Sequence, residues 1–123
     1  MARILLTGAT GFVGREVARR LLARGHDLAC LVRPRDGQAP ASRLLAAGVQ
    51  AEVGGPLHAV AQGRWEVVIH CAGDTTFFPR DADVYRRAHV DGARDLARKA
   101  AAPVFVHVST AFVCGARTGV VYE

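Results

Sequence analysis

The sequence predicts an α/β protein: a doubly wound parallel sheet of about five strands, ordered 3-2-1-4-5, with helices on both faces. Three observations carry this. Short apolar runs, among them Ile4-Leu5-Leu6 and Val67-Val68-Ile69, alternate with longer segments of helical periodicity. Such alternation over short links is the pattern of β-α-β units. The runs are apolar on consecutive residues, as strands covered on both faces must be. The first run leads at once into Thr7-Gly8-Ala9-Thr10-Gly11-Phe12-Val13-Gly14, a glycine-rich turn that opens a helix.

That turn is built to hold phosphate. Gly8 permits the tight turn, Gly11 lets the backbone approach a pyrophosphate, and Gly14 lets the helix lie close on the sheet. The N–H groups of the first helical turn, at Phe12 and Val13, point at the anion along the positive end of the helix dipole. A strand before and a helix after are the setting a dinucleotide-binding turn of the Rossmann type requires.

The elements follow in order. Strand one covers Arg3 to Thr7. The helix after the turn runs to about Arg24, with Val13, Val17 and Leu21 in one row and Gly14, Ala18 and Leu22 in the next. Gly25 stops it. Strand two is Asp27 to Val32, ending at Arg33-Pro34-Arg35. An acid at this strand end would bind ribose hydroxyls and favour NAD, whereas a cation suits a 2′-phosphate. Arg33 stands there and Asp36 falls in the loop, so the sequence leans to NADP, with NAD as the alternative. A short helix, Ala41 to Ala47, ends at Gly48, and strand three is Val49 to Val53. Gly54-Gly55-Pro56 breaks it, and a weak helix spans Leu57 to Gln62. Strand four is Trp65 to Cys71, followed by Cys71-Ala72-Gly73, small residues where a cofactor would pass. Phe77 and Phe78 either line a substrate pocket or plug the helix–sheet junction. A long helix, Ala82 to Ala101, carries Val84, Ala88, Gly92, Leu96 and Ala100 on one stripe. Pro103 ends it, and strand five is Val104 to Ser109.

With 123 residues, half of them apolar, the chain suits one domain, residues 1–123, with a single core. The net charge of +5 comes from 16 basic residues, of which Lys99 is the only lysine. The arginines are scattered rather than clustered, which argues against nucleic acid as a partner. Cys30, Cys71 and Cys114 form no CxxC pair, and the first strand begins almost at Met1, so a reducing cytoplasm is expected. The five histidines show no paired ligand spacing, and no metal site is expected. No apolar run approaches a membrane span.

Five segments in one order resemble the extended short-chain dehydrogenase/reductase family, which includes nucleotide-sugar epimerases, dehydratases and thioester reductases. They are TGATGFVG at 7–14, CLVRP at 30–34, VVIHCAGDTTF at 67–77, YRRAHVDGARDLARKA at 85–100 and FVHVSTAFVCG at 105–115. The resemblance implies an NAD(P)-dependent oxidoreductase, epimerase or dehydratase. It implies cofactor contacts from Thr7, Gly8, Thr10 and Gly11 through Gly14, from Arg33, from Cys71 to Gly73, and from Val108. Thr110 matches the family's Ser/Thr, whose hydroxyl bonds the substrate oxygen while a Tyr, acidified by a Lys, passes a proton. A strand-end hydroxyl capping local backbone is the other reading of Thr110.

Three departures stand out. The Tyr-x-x-x-Lys pair does not occur: Tyr85 is followed four residues on by His89, and Tyr122 falls nearer Thr110 than the family's Tyr does. Gly54-Gly55-Pro56-Leu57 occupies the turn where the family has an Asp near adenine. His89 replaces an Asn. The chain is therefore expected to be the N-terminal, cofactor-binding portion of a larger enzyme, ending after strand five and inactive alone; a non-enzymatic dinucleotide sensor is the alternative. Val104, Val106 and Val108 would then lie exposed on an edge strand, so self-association through that edge or through helix faces is expected, or a tail, Thr118 to Glu123, folded over it.

Overall fold

The computed structural model describes residues 1–54, 60, 63–75 and 80–122, with the backbone alone at 111 and 112. The Gly55-Pro56-Leu57 part of the strand-three turn, the helix expected over Leu57 to Gln62 (Val60 and its helical state apart), and Phe77 and Phe78 lie outside the described residues.

Five parallel strands form one sheet in the order β3-β2-β1-β4-β5. They are β1 (Arg3–Thr7), β2 (Asp27–Leu31), β3 (Glu52–Gly54), β4 (Val67–His70) and β5 (Val104–His107). β1 is central: Leu5 pairs with Ala29 on one side and Val68 on the other. Its side chains alternate between two apolar layers, as a doubly covered strand requires. Ile4, Leu6, Leu28 and Cys30 face Ala18 of α1 (Phe12–Ala23) and Leu44 of α2 (Pro40–Ala46). Leu5, Ala29 and Val68 face Leu96 and Ala100. Because β1 and β4 are neighbours whose connections leave to opposite sides, their C-terminal ends part and open a crevice.

Strands β2, β4 and β5 end one or two residues earlier than the apolar runs suggest. β3 begins later than expected: Val49 is buried, but its N–H closes the end of α2 on the Leu44 carbonyl at 3.0 Å, and sheet pairing starts only at Glu52. The long helix is not uniform. Asp81 caps α3 (Ala82–Arg86) by accepting from the N–H groups of Asp83 and Val84. A π turn, Arg87–Asp91, follows, and α4 (Gly92–Ala100) completes the run. A π turn holds one extra residue, so a stripe drawn at a single helical period slips across it. Leu96 and Ala100 are buried as expected, while Val84, before the turn, is 50% exposed.

On β5, Phe105 packs against the inner layer, while Val104 and Val106, and Val108 just past the strand, remain over 40% exposed. Val120 and Tyr122 of the tail are themselves exposed. No described helix is long and apolar enough to cross a membrane.

Candidate cofactor site

The crevice at the top of β1 is lined first by the glycine turn, and the three glycines do different work there. Gly8 sits at φ +76°, and a Cβ on it would lie 2.6 Å from the Ala72 nitrogen. A Cβ on Gly14 would lie 2.1 Å from the Gly8 carbonyl oxygen. Both positions are glycine because the protein fills the space. At Gly11 the one near atom is the Gly8 oxygen, at 3.3 Å. Gly11 therefore stays nearly bare on its outer side, which is what a ligand needs to approach the backbone.

Gly11 is also the N-cap of α1, with extended backbone and no side-chain cap; the first turn holds no acid. The N–H groups of that turn thus have no carboxylate or hydroxyl cap from their own helix, and the dipole makes them a seat for an anion. Phe12 is 87% exposed and Val13 48% exposed, so both flank the mouth of the crevice rather than the core.

Thr7 is different. It is buried, and its hydroxyl accepts from the Ala72 N–H at 3.1 Å and bonds His70 Nδ1 at 2.6 Å. It faces inward and ties the end of β1 to the segment leaving β4, so it shapes the crevice through Ala72. Burial, then the nearby His107 and His89, push the His70 imidazole below its ordinary range. A neutral His70 that accepts the Thr7 proton at Nδ1 carries its own proton on Nε2. His70 also stacks on its register partner His107, with centroids 5.4 Å apart.

Beyond His70, Cys71 is half-buried with its thiol pushed up by burial, Ala72 is half-buried and Gly73 exposed. The His89 ring lies under Gly73: its Cε1 would stand 3.0 Å from a Cβ there. His89 Nε2 lies 3.1 Å from the Asp74 nitrogen and 3.0 Å from its oxygen, and Tyr85 packs on the ring at 4.2 Å. The π turn brings His89 to this loop. Val108 donates its N–H to the His70 carbonyl at 3.0 Å, extending the β4–β5 pairing towards the crevice. Thr110 is exposed, and its carbonyl accepts from Val113, opening the 3-10 turn Ala111–Cys114.

At the far side, Arg33 is exposed just past β2. Asp36 adopts φ +50° in a tight turn and pairs with Arg35 at 3.3 Å. Sequence reasoning missed Arg43. From α2 its Nη1 donates to the Arg33 carbonyl and its Nη2 to Thr10 Oγ1 at 3.4 Å. Periodicity marks Arg43 only as a helix-face residue; its reach to Thr10 depends on how α2 packs. Among the described residues no group of three His, Cys, Asp or Glu is placed to hold a metal ion.

The strand order, the crevice at its switch point and the uncapped glycine turn define a Rossmann-type α/β protein. A model of the NAD dependent epimerase/dehydratase family matches residues 4–122, and the chain belongs to that family. A short-chain dehydrogenase/reductase superfamily protein from Agrobacterium tumefaciens, solved with bound NAD, is 28% identical, with a TM-score of 0.69 over 92% of this chain and 34% of that one. UDP-glucose 4-epimerase from Thermotoga maritima, solved with UDP-glucose, shares the fold with a TM-score of 0.76 at 20% identity, over 96% of this chain and 41% of its own. Divinyl chlorophyllide a 8-vinyl-reductase from Oryza sativa is 56% identical over 34 residues, 28% of this chain and 8% of the reductase. The chain thus spans well under half the length of each of these relatives.

Proposed function

We propose that this chain is the dinucleotide-binding portion of an NAD(P)-dependent oxidoreductase, epimerase or dehydratase. The observation that carries the reading is the bare, uncapped N-terminus of α1 at Gly11. There the pyrophosphate would be held by the N–H groups at Phe12 and Val13, with Thr10 beside it. Gly8 and Gly14 hold the turn in shape, and Thr7 sets its distance from Ala72. Cys71, Ala72, Gly73 and Val108 would border the nicotinamide half, and Thr110 would bond a substrate oxygen. When bound, the nicotinamide supplies the hydride acceptor or donor. NAD in the Agrobacterium relative supports a dinucleotide in this fold. The exposed Arg33, with Asp36 turned to Arg35, supports NADP over NAD in this chain.

Alone, the chain binds cofactor without transferring hydride, since no Tyr-x-x-x-Lys pair occurs in it. Titration of the chain with NADPH and NADH, followed by nicotinamide fluorescence, tests the cofactor reading. Submillimolar binding of at least one is expected; binding of neither overturns it.

A further inference from the structure

In the His89 ring one atom faces two partners. Its Nε2 lies 3.1 Å from the Asp74 nitrogen and 3.0 Å from the Asp74 oxygen. The Asp74 N–H points at that nitrogen and so meets a lone pair; a hydrogen on Nε2 would set two N–H groups head to head. The neutral ring therefore carries its proton on Nδ1. An imidazolium has no acceptor left. Its Nε2–H must release the Asp74 N–H and turn to the Asp74 carbonyl, which stands within reach. An amide side chain offers an oxygen and an NH2 side by side and does not titrate; an imidazole must choose.

The ring has little room to move aside. Tyr85 of α3 packs on it at 4.2 Å, and its Cε1 would stand 3.0 Å from a Cβ on Gly73. The loop, exposed at Gly73 and Asp74, is what gives way. The titratable groups around the ring are Tyr85 from α3, Asp74 in the loop, His70 from β4, which feels the His89 charge, and His107 from β5, stacked on His70. On its own π turn Asp91 is paired with Arg94, and Arg87 is exposed. A carboxylate in the loop favours a charged ring, and the two imidazoles, once charged, oppose it.

We propose that His89 is a positioning residue for the 71–74 loop, and that one proton on its ring exchanges the Asp74 N–H for the Asp74 carbonyl, giving this wall of the crevice two arrangements. This role rests on the nicotinamide half being seated beside Cys71, Ala72 and Gly73, as proposed above. With the neutral ring the wall fits the nicotinamide. With the imidazolium the peptide turns and that fit is lost, while the pyrophosphate seat at Gly11 is untouched.

Heteronuclear NMR of the 123-residue chain reads the ring directly. At the alkaline end His89 is expected as the Nδ1–H tautomer, and the Asp74 amide resonance should move with the His89 midpoint between about pH 8 and 5. In His89→Gln and His89→Asn that movement should disappear. Binding is read as a ratio of affinities, NADPH against 2′-phospho-ADP-ribose, which lacks the nicotinamide, so that charge felt at the phosphates cancels. From about pH 8 to 6 the ratio should fall about three- to tenfold in the parent, the scale of one hydrogen bond, and stay level in both variants. An Nε2–H tautomer at the alkaline end overturns the proposal, since protonation would then change no bond. So does an Asp74 amide that titrates equally in the variants. A ratio that stays level with pH in the parent overturns the positioning role, and NADPH binding then leaves the cofactor reading standing. A parent chain that binds neither ligand fails the cofactor reading itself, and the positioning role falls with it.

Discussion

The two ends of the sheet are built on opposite principles. Where the strands begin, charge answers charge. Arg3 lies 3.7 Å from Asp27 and 3.8 Å from Glu52, its N–H donates to Glu66 at 2.7 Å, and its guanidinium stacks 5.1 Å over Trp65. One side chain thereby ties β1 to β2, β3 and the approach to β4. Where the strands end, the polar groups turned outward are left for something else: an uncapped helix, a bare Gly11 and two arginines, Arg33 and Arg43, that no carboxylate pairs with among the described residues. The groups turned inward at that end, Thr7 and His70, satisfy each other. A fold closes its own hydrogen bonds where it needs only stability, and leaves donors open where it holds a ligand.

The largest effect that could break this contrast lies within the glycine turn. Gly14→Ala should destabilise the chain by about 3 kcal/mol, because the added methyl meets a backbone oxygen and the helix must shift. The gain in helix propensity, about 1 kcal/mol, is too small to offset this. For a domain of this size the melting temperature should fall by about 10 °C or more. Gly11→Ala meets only a tight 3.3 Å contact and should change stability by less than about 1 kcal/mol. Its dinucleotide affinity should nevertheless fall by about tenfold or more, since the methyl occupies the ligand's approach. Thermal melts and titrations of both variants check this. Equal unfolding by the two would make the whole turn a packing device.

His70 offers a smaller effect, read through pH. Its folded imidazole titrates below the ordinary value of about 6.5, so the unfolded chain binds the proton more tightly. Stability should be complete above that value and decline as pH falls below it. Glu16 does not confuse the window: Arg19 and Arg20 hold it at about 2, so its contribution is lost only below the carboxylate range near 4.5. Melting temperatures between pH 8 and 5 should fall less in His70→Gln than in the parent. Parallel curves would mean that His70 is not the group that acid finds.

Much of this was legible in the sequence, and the reasons differ by element. β1 matched residue for residue because its apolar run is bounded sharply by Arg3 and by Gly8. The strand order followed from the alternation of elements, and Gly8 and Gly14 from the motif. The π turn was not legible: Val84, Ala88 and Gly92 fit an unbroken helical stripe, and nothing in a period of 3.6 signals one extra residue. Thr7 reads as a residue of the phosphate turn, yet strand alternation buries it against His70, a partner 63 positions away. Arg43 and Arg33 are likewise joined only by the packing of α2. Strand order and contacts set by local chain geometry were readable; side-chain contacts made where separate elements meet were not.

The smallest effect belongs to the other end of the sheet. The side chains of Arg3, Asp27 and Glu52 are each close to half exposed or more, so their pairings are screened by water and salt. Arg3→Ala should therefore cost only about 1 kcal/mol, or roughly 5 °C in melting temperature, despite removing three contacts. Half of that should return in Arg3→Lys, which keeps the charge but loses the flat stacking on Trp65. Raising the salt should shrink the gap between Arg3→Lys and the parent less than the gap between Arg3→Ala and the parent, because stacking is less sensitive to salt than pairing. Dinucleotide affinity should stay unchanged in both variants, since β1 is held along its whole length by β2 and β4. A loss of cofactor affinity on Arg3→Ala would show the two ends to be coupled through β1, and the division of labour between them would no longer hold.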